Sequence, residues 1–194
     1  MNLLEKLVDK IVNLLIKYGV VNRDDTDVYK YCVESLIEKI VFFSIILSVG
    51  CLLKKILVTI LFLIYFSFLR TYAGGFHMKT SLQCFCMSII SYFFCIEMIY
   101  LINKMDVKMQ FGFTIAVSFL ICIFAPVENV NNPLSENNRK VNKIRTIVVV
   151  LIGFIVAFVM QIYSVESAIV LATEILVLVS QVIGLVINQI MCYK

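Results

Sequence analysis

Six long apolar blocks, separated by short charged and polar stretches, constrain the fold of this chain more than any other feature. The blocks lie at roughly 36–53, 56–69, 82–102, 107–125, 146–163 and 168–190. Most have the length that an α-helix needs to cross about 30 Å of hydrocarbon. With 61% hydrophobic and only 15% charged residues, the composition excludes a soluble domain. We therefore predict an all-α, polytopic integral membrane protein with about six transmembrane helices.

The second block is the shortest, and only Lys54 and Lys55 separate it from the first. If both blocks cross the membrane, they form a tight helical hairpin and the second extends through Tyr72. A four-span arrangement with re-entrant segments is the alternative, because irregular backbone is tolerated at membrane depth where other helices bury it.

The first residues have a different pattern. Positions 3–17 have the spacing of an amphipathic helix, with Leu7, Val8 and Ile11 on its apolar face. We predict that this helix lies in the membrane interface. It lacks the basic start and compact apolar core of a cleavable signal peptide. Residues 1–30 would form this helix and a polar connector, in which Asp24 or Thr26 caps the next helix.

The basic residues predict the orientation. If all six blocks cross, the N-terminal side of the membrane carries thirteen of the 17 lysines and arginines. The thirteen are Lys6, Lys10, Lys17, Arg23, Lys30, Lys39, Arg70, Lys79, Arg139, Lys140, Lys143, Arg145 and Lys194. Because cytoplasmic loops retain basic residues, we predict that both termini, the 70–81 loop and the 126–145 loop are cytoplasmic.

The segment RTYAGGFHMKTSLQC contains the only histidine of the chain, His77, seven residues before Cys84. On one continuous helix this spacing would separate their Cα atoms by roughly 10 Å, beyond hydrogen-bond reach. Gly74 and Gly75 permit positive φ and close backbone approach, by which a loop can bring His77 back over the next helix. Spacing alone also fits a chance pairing in a chain with seven cysteines.

An N-cap at Thr80 or Ser81 would place Cys84 in the first helical turn. There the free N–H groups and the helix dipole lower the pKa of a thiol and favour the thiolate. His77 would then serve as general base and Cys84 as a nucleophile that forms a thioester. Cys86 is the competing nucleophile, although it points about 200° away on the same helix.

These residues resemble a known family. Arg70, Ala73, Gly74, Gly75, His77 and Cys84 are similar to the Arg-x-x-Ala-Gly-Gly-x-His…Cys signature of the AgrB family, the accessory gene regulator membrane endopeptidases of quorum sensing. The downstream stretch APVENVNNPLSENNRK resembles the second cytoplasmic signature of that family. Together with length and hydropathy, the two motifs extend the resemblance over nearly the whole chain.

The resemblance implies a cysteine endopeptidase that removes the C-terminal tail of an AgrD-like propeptide and promotes its cyclisation through an acyl-thioester. It implies Cys84 as nucleophile, His77 as general base, and Arg70, Gly74 and Gly75 as substrate-binding or supporting residues. It also implies a homodimer in the cell membrane. Residues 1–194 would form a single membrane-embedded peptidase domain, with 70–81 as its catalytic loop.

Two other classes of function stay open. A small transporter or peptide exporter would use the polar stripe of the last apolar block, which recurs every seven residues at Ser167, Glu174, Gln181 and Asn188. The stripe is also compatible with a partner helix or a dimer seam. A non-enzymatic scaffold or receptor subunit has little support.

Other polar and cysteine side chains have simpler explanations than a role in catalysis. Cys84, Ser88, Ser91 and Cys95 form a stripe that favours close helix packing over a substrate groove. Glu128 could orient the His77 imidazole, but a solvated loop is the simpler interpretation. The sequence contains no metal-ligand cluster, cofactor fingerprint or nucleic-acid motif, and we expect its cysteines to be reduced.

Overall fold

The computed structural model describes residues 3–22, 25–76, 81–128, 134–163 and 166–192, and this part of the chain is organised as seven α-helices. The helices are α1 (Leu3–Lys17), α2 (Thr26–Leu52), α3 (Ile56–Ala73), α4 (Ser81–Ile102), α5 (Val107–Phe124), α6 (Glu136–Ile162) and α7 (Ala168–Cys192). Within the described ranges, the six helices from α2 to α7 contain segments long and apolar enough to cross a membrane. The predicted all-α, polytopic architecture is confirmed.

Helix boundaries differ from the predicted apolar blocks where a helix continues beyond its apolar part. α2 begins at Thr26 and α6 at Glu136, well before the first residues of their blocks. Hydropathy detects only the apolar part of a helix, whereas polar residues with adequate helix propensity extend it. Asp25 occupies the N-cap of α2, so Thr26 is its first helical residue and not its cap; Asp24 lies outside the described residues.

The short second block forms a complete helix. α3 has 18 residues and continues past Tyr72, which corresponds to roughly 27 Å at 1.5 Å per residue. This length suits a full crossing and does not support the re-entrant alternative for this segment.

Contacts between the segments that connect consecutive helices show which of these segments lie at the same end of the bundle. The α2–α3 and α6–α7 connections meet through an ion pair in which Lys55 Nζ lies 2.8 Å from Glu166 Oε1. At the opposite end, the α3–α4 and α5–α6 connections meet through a backbone bridge between Gly74 and Val127. We call these the Lys55 end and the Gly74 end. If six helices cross the membrane in succession, the connections between them must alternate between the two ends, as these four do.

α7 is the central helix of the bundle, because it packs against α3, α4, α5 and α6. Its N-terminal half is the most completely buried part of the described chain, and Ala172, Thr173 and Glu174 have no exposed surface. Phe62 of α3 and Tyr92 of α4 are fully buried in the same core, with their ring centroids 5.4 Å apart. Because α7 crosses the bundle among four other helices, its residues can contact both ends of the bundle.

α1 packs along α2 and has the predicted helical bounds. Val8 and Val12 are buried, and Asp9 forms an ion pair of 2.7 Å with Lys30 of α2. Leu7 and Ile11 remain exposed on the outer surface. Exposed apolar residues on an amphipathic helix suit the membrane interface, and the location of α1 there stays a prediction.

Candidate active site

The segment from Ala73 to Phe76 leaves the end of α3 as a short extended loop. Gly74, at the C-cap of α3, has φ +73°, and Gly75 has φ +130°. Both values lie in the region that glycine adopts readily and other residues avoid. The loop therefore turns sharply away from the axis of α3 immediately before His77.

Backbone hydrogen bonds join this loop to the α5–α6 connection. Val127 N donates to Ala73 O at 3.0 Å, and Gly75 N donates to Val127 O at 3.3 Å. A Cβ atom on Gly74 would collide with the carbonyl oxygen of Val127. The two segments that contain the sequence motifs thus lie side by side, in parallel, at the Gly74 end.

Arg70 supports the loop from within α3. Its guanidinium donates to the carbonyl oxygens of Gly74 and Phe76, and the side chain is half-buried. A Cβ atom on Gly75 would collide with this guanidinium. A charged donor forms stronger hydrogen bonds than a neutral one, so Arg70 rigidifies the backbone that precedes His77.

α7 holds the other side of the loop. Phe76 N donates to Ser180 O at 3.0 Å, and Gln181 Nε2 donates to Ala73 O at 3.1 Å and to Ile121 O at 3.4 Å. Gly184 is buried against the loop, since a Cβ there would lie 2.9 Å from Phe76 N. Gln181 is fully buried, and its Oε1 has no hydrogen-bond partner among the described residues.

The two predicted catalytic residues are described only in part. His77 lies outside the described residues. Cys84 is the fourth residue of α4, which begins at Ser81, and the position of its side chain is likewise outside the described part. The competing Cys86 carries a free thiol and is exposed on α4. The distance between His77 and Cys84 stays a prediction.

Glu128, which directly follows Val127, contacts residues of α6 and α7. Its carboxylate Oε1 is 3.3 Å from Arg139 Nε, and its carbonyl oxygen accepts a hydrogen bond of 2.7 Å from Asn188 Nδ2. The preceding residue, Val127, pairs with Gly74. Glu128 is thus a tethered part of the connection, and its predicted alternative role as an orienting residue is untested.

The polar stripe of α7 contacts helices and loops of the same chain. Glu174 is fully buried and accepts hydrogen bonds from Tyr65 Oη at 2.7 Å and from Ser118 Oγ at 2.9 Å. Ser167 Oγ donates to Gln161 Oε1 at 2.9 Å. Gln181 and Asn188 also contact other segments of the chain, as described above. The polar residues of the stripe are therefore explained by contacts with helices and connections of the same chain.

The predicted packing role of the small-residue stripe on α4 holds for Cys95. Its thiol is fully buried between α4 and α7, and Sγ lies 3.9 Å from Thr173 Oγ1. Within the described ranges, no group of three His, Cys, Asp or Glu side chains is arranged as metal ligands.

Several supporting residues were not recognised from the sequence. Ser180 contributes through its carbonyl oxygen, which every residue type possesses, so no sequence signal marks it. Gly184 is an isolated glycine in an apolar helix, a pattern that often marks close packing. Val127 belongs to the second motif, and Gln181 to the polar stripe, but neither pattern indicates that both contact the Ala-Gly-Gly segment.

Comparisons with known proteins agree with the two motifs. The model of the family described as AgrB, Accessory gene regulator B, matches residues 8–186. A putative AgrB-like protein of Clostridium perfringens strain SM101 is 26% identical over 145 residues, which cover 71% of this chain and 65% of that protein. The accessory gene regulator protein B of Staphylococcus carnosus is 29% identical over 153 residues, or 78% of this chain and 72% of that protein.

The accessory gene regulator protein B of Staphylococcus saprophyticus is 30% identical over 115 residues, which cover 58% of this chain and 59% of that protein. In the Clostridium perfringens relative, the matched region spans slightly less than two thirds of the length of that protein. No solved structure matches this chain. Because the family match covers most of the sequence, the chain belongs to the accessory gene regulator B family.

Proposed function

We propose that this chain is a membrane-embedded cysteine endopeptidase that removes the C-terminal tail of an AgrD-like propeptide. Membership of the AgrB family supports the reaction class. The observation that carries the proposal is the fixed loop from Ala73 to Phe76, which Arg70 and α7 hold at the Gly74 end. His77 follows this loop directly, and Cys84 lies in the first turn of the next helix.

In the proposed reaction, the Cys84 thiolate attacks the carbonyl carbon of the scissile peptide bond. The first turn of an α-helix has backbone N–H groups without partners inside the helix and carries the positive end of the helix dipole, both of which favour a thiolate. His77 takes the thiol proton and later donates it to the leaving amine as the C–N bond breaks. The tail departs with a free amino group, and the peptide stays bound to Cys84 as a thioester.

The thioester makes cyclisation feasible. A nucleophilic side chain of the bound peptide attacks the thioester carbonyl and gives its proton to His77, which is neutral after the first step. The C–S bond breaks as the ring closes, and Cys84 departs as a thiolate. Intramolecular attack has a high effective concentration and therefore competes with hydrolysis. A site at the end of a helical bundle that restricts water access would increase this advantage.

Arg70, Gly74 and Gly75 serve in this proposal as structural support. The guanidinium of Arg70 donates to two loop carbonyls, and the two glycines avoid collisions with Val127 and Arg70. These contacts keep the loop close to α7. Their contribution to catalysis is therefore the position of His77, and they require no direct contact with the propeptide.

We also propose the arrangement of the protein in the cell membrane. Residues 1–194 act as one peptidase domain, with 1–30 at the interface and 126–145 as a second cytoplasmic loop. The excess of basic residues at the Gly74 end favours a cytoplasmic location for that end, for the active site and for both termini. A homodimer is proposed from family membership alone.

The test is mass spectrometry of a cognate propeptide co-expressed with the wild type and with Cys84→Ala, His77→Ala and Cys86→Ala. We expect the Cys84 and His77 variants to lose release of the tail. The Cys86 variant should retain it, because Cys86 is exposed on another face of α4. A covalent acyl adduct on Cys84 is expected in the wild type. Continued cleavage by Cys84→Ala would exclude the proposed mechanism.

A further inference from the structure

An apolar groove lies between α3 and α6 on the outside of the bundle, with a volume of about 460 Å³. Tyr65 and Gly153 both line it, and the ring of Tyr65 rests against the backbone of α6 at Gly153, which has no side chain. Val148 and Ile152 border the groove and are about half exposed. The groove therefore opens to the surroundings of two helices that are apolar enough to span the membrane.

The length of the groove matches one leaflet of a bilayer. Its lining runs from Leu61 to Tyr72 along α3 and from Ile144 to Val156 along α6, and it includes Ile169 and Val170 of α7. Each stretch corresponds to roughly 17 Å at 1.5 Å per residue. Half of the hydrocarbon thickness of a bilayer is about 15 Å. The groove thus spans the depth at which the acyl chains of one leaflet lie.

The apolar lining of the groove does not suit an extended peptide. An extended peptide would leave its backbone N–H and C=O groups without partners against apolar walls. The Tyr65 hydroxyl donates to Glu174, so it retains only acceptor capacity and could satisfy few of these groups. A flexible hydrocarbon chain has no polar groups to satisfy.

One end of the groove carries a positive charge. Arg145 is exposed, lines the groove, and has its guanidinium 5.3 Å from the centroid of the Tyr72 ring. Ion pairs in the described part of the chain involve other cations, namely Lys30, Lys55 and Arg139. Arg145 directly precedes the apolar part of α6, at the level where arginine and tyrosine meet phospholipid headgroups.

We propose that this groove binds a single acyl chain of an anionic phospholipid, with the lipid phosphate at Arg145. The lipid belongs to the leaflet at the Gly74 end, and its chain packs along Tyr65 and Gly153. The proposal does not depend on peptidase activity, because its test measures retention of lipid and not release of the propeptide tail. It concerns a binding site for a membrane component and assigns Arg145 a role distinct from that of Arg70.

Native mass spectrometry of the delipidated full-length chain provides the test. The probes are phosphatidylglycerol, phosphatidylcholine, short-chain dihexanoyl phosphatidylglycerol and inorganic phosphate. Arg145→Gln is compared with Lys140→Gln, which removes an exposed charge of α6 that does not line the groove. Val148→Phe, which narrows the groove, is compared with Ile147→Phe, a neighbouring residue outside its lining. Circular dichroism checks that each variant is folded.

We expect the wild type to retain phosphatidylglycerol over phosphatidylcholine by about fivefold, the effect of one basic residue near an anionic surface. Arg145→Gln should abolish this preference, and Val148→Phe should weaken retention of both long-chain lipids. The two controls should match the wild type, and short-chain lipid and phosphate should bind weakly. Equal retention of all lipids by every variant would overturn the proposal. A changed dimer fraction in Val148→Phe with unchanged lipid binding would also overturn it, in favour of a second copy of the chain.

Discussion

The two ends of the helical bundle are held together by different kinds of contact. At the Lys55 end, two short connections meet through one ion pair, Lys55 with Glu166, whose side chains are about one third exposed. At the Gly74 end, the loop after α3 contacts the α5–α6 connection and α7 through backbone hydrogen bonds. The connections thus meet through side chains at the Lys55 end and through the main chain at the Gly74 end, where side chains such as Arg70 and Gln181 add further support.

This difference predicts how each end tolerates substitution. An exposed ion pair contributes little free energy, and its loss leaves the backbone in place. The Gly74 end requires residues without a Cβ atom, because a side chain at Gly74 or Gly75 would collide with Val127 or Arg70. The loop proposed to precede the active site therefore tolerates added side chains poorly, which is consistent with a need for well-defined geometry.

The largest effect is expected from Gly74→Ala. The added Cβ collides with the carbonyl of Val127 and strains a residue at φ +73°. Left-handed strain alone costs about 1–2 kcal/mol, and the collision adds to it. We expect release of the propeptide tail to fall by at least about tenfold, as measured by mass spectrometry.

Gly19→Ala provides the matched control for this substitution. Gly19 has a similar φ of +70°, but a Cβ atom added there would have open space around it, with nothing within 4 Å. This variant experiences the strain without the collision and should keep tail release within about twofold of the wild type, because Gly19 lies far from the proposed site in sequence. Equal losses in the two variants would contradict the assigned role of the Gly74–Val127 contact.

An intermediate effect is expected from Gln181→Met. Methionine fills a similar volume but cannot donate to Ala73 O and Ile121 O, the two contacts that tie α7 to the ends of α3 and α5. Both carbonyls keep a backbone partner, Val127 N and Ala125 N, so each lost hydrogen bond costs about 0.5–1.5 kcal/mol. We expect a lower melting temperature in detergent and a severalfold slower release of the tail.

Gln161→Met is the corresponding change at the Lys55 end, where Gln161 accepts a hydrogen bond from Ser167. It should lower the melting temperature slightly and leave tail release unchanged. If Gln161→Met slowed tail release as much as Gln181→Met, the two ends would not differ in the way that the contacts indicate.

The smallest effect is expected for the ion pair between Lys55 and Glu166, whose coupling free energy a double-mutant cycle of Lys55→Met and Glu166→Gln measures. Because both side chains are partly exposed, their coupling free energy should be below about 1 kcal/mol and should decrease with added salt. Unfolding in detergent at two ionic strengths measures it. A coupling above about 3 kcal/mol would show that this end is held as firmly as the Gly74 end.

Much of the fold was predictable because membrane spans follow from hydrophobic length. The amphipathic pattern of residues 3–17 predicted α1, and the apolar blocks predicted α2 to α7. Capping signals predicted the N-cap of α2 to within one residue, whereas the start of α6 at Glu136 was missed, since its polar first turn carries no hydropathy signal. The spacing of the α7 stripe indicated a common face and left open whether that face met another helix, a second copy or a transport path.

The candidate site was predictable in its residue types and only partly in its construction. The motif around Gly74 and Gly75 predicted a loop that requires glycine, and both residues have positive φ. The contact of that loop with Val127 joins segments about fifty residues apart, and local sequence patterns contain no distance information on that scale. The carbonyl of Ser180 and the packing of Gly184 are equally invisible to residue type.

By itself, the sequence determined the number and approximate extent of the helices. In the bilayer core, backbone N–H and C=O groups have no water to bind, so a long apolar segment satisfies them by forming a helix. It also determined where the chain must turn with glycine. Only the tertiary structure decided that α7 is central, that Gln181 and Asn188 tie it to both motif segments, and that an apolar groove lies between α3 and α6. These features depend on which helices meet and at what depth, and packing between distant segments sets both.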